Sequence, residues 1–82
     1  MNGPAGAGDE GRRERRMTVV NVRAHGDDAE VMFAESARIF RLRRTSPAYE
    51  ETLRRLWQAV GSGRPVRVRF DQPNGEIIEQ VE

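Results

Sequence analysis

The chain holds one histidine, no cysteine and no lysine, so any chemistry rests on carboxylates, hydroxyls, guanidinium groups and the imidazole of His25. A general base or a metal ligand needs partners within reach. His25 has Asp27 and Asp28 beside it, a loose cation site at most, and turn aspartates have a backbone-bonding role of their own. Ser36, Ser46 and Ser62 fall at a turn, a helix start and a helix end. Gly61-Ser62-Gly63-Arg64 follows an expected helix C-terminus, where the dipole repels anions. No nucleophile elbow, Walker loop, dinucleotide-binding glycine motif or paired metal-ligand spacing occurs. These residues predict no enzyme, no cofactor and no metal.

Arginine is the other chemistry on offer. Arg41, Arg43, Arg67 and Arg69 alternate with apolar residues, so adjacent strands would gather them into a basic face for a partner. Single-stranded nucleic acid is the alternative ligand for that face, but it wants aromatic platforms, each stacked base contributing roughly 1–3 kcal/mol. Phe33, Phe40, Tyr49, Trp57 and Phe70 all lie on the apolar side of their elements, which leaves none for stacking. The arginines also have cross-strand partners in Glu76, Glu79 and Glu82.

Eighty-two residues make one domain with a thin core, burying roughly 60–65% of the unfolded surface. Self-association is a natural remedy. No apolar run has the length of a membrane span or of a signal peptide, and a small chain without disulfide staples is expected in the cytoplasm. The exclusive use of arginine matches the Ala-, Gly- and Val-rich cast of a GC-rich genome.

Residues 1–16 are Gly- and Arg-rich with almost nothing to bury, and read as a disordered tail. The tail carries four arginines against Asp9, Glu10 and Glu14, and residues 17–82 carry ten arginines against ten acids. The formal charge of +1 therefore belongs to the tail, and the single domain from Met17 onward has no bulk field. Met17, directly before the first strand-like run, is a candidate translation start.

The elements that must position these groups follow from periodicity. Thr18 to Arg23 reads as a strand with Val20 and Val22 on one face, and Ala24 to Asp28 as a turn using Gly26. Residues 29–44 make two strands or one long bulged strand, with Val31, Phe33, Phe40 and Leu42 inward. Ser46-Pro47 starts a helix whose apolar stripe is Tyr49, Leu53, Leu56, Trp57 and Val60, with Glu50–Arg54 and Glu51–Arg55 pairs outside. Gly61-Ser62-Gly63 ends it. Val66, Val68 and Phe70 alternate in a fourth strand, and Asn74-Gly75 suits a type I′ turn into a strand over residues 76–82. Ile77 and Ile78 point to opposite faces there, which makes Ile78 and Gln80 the candidate oligomer edge.

The predicted class is α+β: a small OB-like β-β-β-α-β-β barrel, or an open two-layer ββαββ sheet with one helix on one face. The stretch from Tyr49 to Val68, a capped helix passing through Gly61-Ser62-Gly63-Arg64-Pro65 into a Val-rich strand, resembles the helix-to-strand junction of small OB-like binding subunits, including the B-subunits of AB5 toxins. The resemblance spans about a quarter of the chain. Those subunits are secreted and often disulfide-bonded, so their glycan binding is not carried over. The expectation is a non-enzymatic module that forms a homo-oligomer and binds another macromolecule.

Overall fold

The first strand begins before its β-branched run. The computed structural model describes residues 13–82, and in it β1 spans Glu14–His25. Most of the expected tail lies outside the described residues, but its last residues do not behave as one. Glu14, Arg15 and Arg16 pair antiparallel with Arg69, Val68 and Arg67, and the Arg13 carbonyl accepts the Phe70 amide. Residues 14–16 therefore belong to β1 and not to the expected tail, and Met17 is buried mid-strand. The sequence hides this boundary because an outward-facing edge of a curled sheet tolerates any number of arginines.

β1 also changes phase. Its register slips between Val19 and Asn21, so Met17, Val19 and Val22 face the core while Val20 and Asn21 both face outward. A bulge of this kind places two residues opposite one and bends the strand. Val20 is exposed, contrary to its expected partnership with Val22, because strict period-two alternation does not survive the extra residue. The bend lets one strand serve two neighbours: residues 14–18 pair with β4 and residues 19–25 with β2.

Gly26, at φ 61°, closes the hairpin from β1 into β2 (Asp28–Phe33). β3 (Ile39–Leu42) is a separate antiparallel strand, which decides between the two readings of residues 29–44. α1 (Tyr49–Ser62) starts later than Ser46-Pro47 suggests: its N-cap is Ala48 without a side-chain bond, and Ser46 serves the preceding turn through its carbonyl to Tyr49 N. Gly63, in the left-handed conformation at φ 67°, returns its N–H to Ala59 O and ends the helix. Glu51 holds both Arg54 and Arg55 at 2.8 Å, in place of two independent acid–base pairs.

The helix rests on Thr52, Leu56 and Ala59, with Tyr49, Leu53 and Val60 part-buried beside them. Small Thr52 and Ala59 let the helix approach the sheet closely, and the Arg55 guanidinium donates to Val81 O at 2.8 Å on one flank. Rotation about that line leaves Trp57 at the far margin, 52% exposed. The expectation that every aromatic ring seals the core fails at this residue.

β4 (Pro65–Phe70) and β5 (Ile78–Val81) are antiparallel, but their connection is not a two-residue type I′ turn. Pro73 and Asn74 are the central pair of a turn closed by Gly75 N on Gln72 O, and only Asn74 has a positive φ, 63°. Proline at the first central position and a left-handed residue at the second are the signature of a type II turn. Gly75 is closely approached: a Cβ there would meet the Asp71 carboxylate, which would have to turn away. A second register slip, between Arg69 and Phe70, turns both Ile78 and Val81 inward. Ile78 is 1% exposed and belongs to the core, which removes it from the candidate oligomer edge; Gln80 remains exposed opposite Arg69.

The five strands form one sheet in the order β3-β2-β1-β4-β5, and the sheet curls until its ends meet. Arg41 N on β3 donates to Glu76 O at 2.8 Å, a single parallel bridge to the segment leading into β5. The result is α+β, a partly closed β-β-β-α-β-β barrel with one helix packed on it. No helix among the described residues is long and apolar enough to cross a membrane.

Candidate functional site

The outer face of β1, β2 and β3 carries two side-chain rows fixed by register. Glu30 on β2 lies opposite Arg23 on β1 and Arg41 on β3. One step along, Met32 lies opposite Asn21 and Ile39. A charged row thus runs beside an apolar one, and the bulge adds Val20 to the apolar side. Val20, Met32 and Ile39 are all exposed, as is usual for scattered single residues but not for three on adjoining strands.

Glu30 is the centre of the charged row. Its side chain is only 10% exposed, against 60% for Arg23 and 42% for Arg41. Arg23 Nε donates to Glu30 Oε1 at 2.9 Å. The second oxygen, Oε2, lies 3.6 Å from His25 Nδ1 and 3.8 Å from an Arg41 terminal nitrogen, both too long for hydrogen bonds. Glu30, Ile39, Arg41, Glu76 and Ile77 line a cleft of about 270 Å³. Glu76 is tied back by Arg38 at 3.1 Å.

Of the sequence-designated arginines, only Arg41 reaches this cleft. Arg43 is exposed beyond the end of β3. Arg67 and Arg69 stand on β4, separated from β3 by two strands of the sheet, and face Glu82 at 3.3 Å and Glu79 at 3.8 Å. The four do not form one basic face, because the strand order does not make β3 and β4 neighbours. His25 meets Glu30 rather than a loose aspartate cluster, since the Asp28 carboxylate accepts Arg44 N at 3.0 Å. Among the described residues no group of three His, Cys, Asp or Glu side chains is placed to hold a metal. Glu30 itself went unnoticed in the sequence. In Ala29-Glu30-Val31 it reads as one more outward residue, and only the pairing of three strands shows how arginines and Ile39 enclose it.

No protein-family model and no curated protein matches the chain. Among solved structures, the A47Q2 mutant of pro-protein-glutaminase is similar: 22% identity, a TM-score of 0.70, and a match over 82% of this chain. The match spans 23% of that chain, so the likeness is to a domain-sized portion of a larger protein, and it concerns the fold. It nevertheless corrects the expectation of a non-enzymatic module and the exclusion of an enzyme. The architecture seen here is one that occurs inside an enzyme precursor.

Proposed function

We propose that this chain serves as one domain of an enzyme that modifies proteins, and that the outer face of β1–β3 is the surface on which the protein substrate lies. The observation that carries the reading is the likeness to a quarter of pro-protein-glutaminase, a precursor whose name makes proteins its substrate. The face supports it. An extended substrate segment presents side chains alternately, and the charged row Arg23–Glu30–Arg41 beside the apolar side chains of Val20, Met32 and Ile39 offers contacts of two kinds at strand spacing.

The test is titration of unfolded β-casein into isotopically labelled protein, followed by amide NMR. Shifts concentrated at Arg23, Glu30, Met32, Ile39 and Arg41 are expected. Shifts confined to α1, or none at millimolar casein, would overturn the reading.

A further inference from the structure

We infer that the groove over Pro65 and Val66, between the end of α1 and the outward rows of β1 and β4, docks an extended acidic segment of a partner protein. It shares no lining residue with the cleft over β2 and β3, and the inference does not rest on the substrate-face reading. Two hollows make up the groove. One, of about 290 Å³, is lined by Arg16, Pro65, Val66, Arg67 and Glu82. The other, of about 420 Å³, runs on between Arg55 of α1 and Arg64, and has Pro65, Val66 and Glu82 in common with the first. Four guanidinium groups therefore border the groove and only one carboxylate, although the chain as a whole carries 14 basic residues against 13 acidic ones.

The arrangement is unfavourable as it stands. Arg16 and Arg67 lie directly opposite each other on β1 and β4, both exposed, and like charges facing across two strands destabilise a sheet. Arg67 is compensated by Glu82 at 3.3 Å, and the Arg55 guanidinium is engaged by Val81 O and Glu51, both at 2.8 Å. The side chains of Arg16 and Arg64 make no hydrogen bond or ion pair with a described residue; only the Arg64 backbone amide is held, by Ser62 Oγ at 3.1 Å. The C-terminus of α1 adds roughly half a negative charge near Ser62, less than the two unpaired guanidiniums supply, so the balance still favours an anion. A carboxylate laid beside Arg16 and Arg67 relieves their repulsion.

The walls select among anions. Among the described residues no aromatic ring lines either hollow, so a nucleic-acid base finds no stacking platform. Glu82 opposes an unbroken run of phosphates but tolerates a protein segment of mixed sequence. Arg16 stands level with Arg67, three residues along from Arg64, a distance of roughly 10 Å. Carboxylates four residues apart in an extended segment span roughly 13 Å, within reach of both guanidiniums, and the alternate position between them presents an apolar side chain to Val66.

Capped five-residue peptides test this, each with Leu at the centre, Ser on either side of it, and Glu, Gln or Lys at both ends. NMR titration of the whole chain is expected to give the Glu peptide about fivefold tighter binding than the Gln peptide, the product of about twofold for each exposed ion pair and the relief of the facing arginines. Shifts should fall at Arg16, Arg64, Val66 and Arg67, the Lys peptide should not bind, and added salt should erase the difference. Arg16→Gln and Arg64→Gln should each weaken the Glu peptide about twofold. Neither variant loses a side-chain bond, and Arg16→Gln should raise the midpoint of urea unfolding by removing a like-charge pair. Equal binding of the Glu and Gln peptides, or binding unchanged in both variants, would overturn the inference. A lowered midpoint for Arg16→Gln would do the same, by showing that the fold itself needs that guanidinium. So would tighter binding of oligothymidylate than of the Glu peptide, which would make the groove a nucleic-acid surface. A marked gain in affinity on removing residues 1–12 would also sink it, by making Asp9 and Glu10 of the same chain the occupant.

Discussion

The rings of Phe40 and Phe70 lie 5.2 Å apart although their strands, β3 and β4, are not neighbours in the sheet. That contact crosses the interior, and it exists because the sheet is curled rather than flat. Phe33 meets the other side of Phe40 edge-on, also at 5.2 Å, so Phe40 is the centre of the aromatic core. Phe40→Ala should cost about 3–5 kcal/mol, the usual range for a large-to-small change at a sealed position. Urea denaturation measures it, and a loss below about 1 kcal/mol would show that the curled sheet does not depend on this ring.

Removal of residues 1–16, leaving a chain that starts at Met17, takes away the pairing of Glu14–Arg16 with β4 and the Arg13 bonds to Phe70 and Glu79. At roughly 0.5–1.5 kcal/mol for each hydrogen bond, the truncated chain should lose on the order of 2–4 kcal/mol. Removal of residues 1–12 alone is the control. Equal urea midpoints for the two deletions would mean that the first part of β1 contributes nothing.

Trp57 is the sole tryptophan and stands half in water. Its emission should be red-shifted and readily quenched by acrylamide in the native state. Trp57→Ala should cost less than Leu56→Ala, which empties a sealed site at about 2–5 kcal/mol. A blue-shifted, unquenched native emission would contradict the placement.

Glu35 is pulled two ways. Partial burial raises its pKa, but the Thr18 amide and hydroxyl, each bonded at 2.8 Å, together with the field of Arg15, lower it further, and the net effect is a carboxyl below its ordinary 4.5. A depressed carboxyl adds stability that is complete above its unfolded value and fades as the pH falls through the folded one. Glu35→Gln should therefore lower stability at about pH 7 and converge on the parent protein near about pH 3. A constant difference across that range would mean that the link to Thr18 does not depend on the charge.

How far the fold could be foreseen depended on phase. β2, β3 and β4 keep strict alternation, and Val31, Phe33, Phe40, Leu42, Val68 and Phe70 are inward as their spacing predicts. β1 and β5 break alternation at bulges, and there Val20 turns outward and Ile78 inward, opposite to what strict alternation predicts. Nothing local marks those slips, since the requirement for them comes from bending the sheet. The candidate site was less visible still. Arg23, Glu30 and Arg41 sit on three consecutive strands and become one row only through two strand registers.

Arg41 has two duties that the architecture places on one residue: its amide fastens the ends of the sheet to each other, and its side chain borders the cleft. The backbone fastening is one bond, to a carbonyl in the loop before β5, and the Arg38 guanidinium reinforces it by donating to Asn74 and Glu76 of the same loop. Hydrogen exchange at the Arg41 amide therefore gauges how often the two ends of the sheet part.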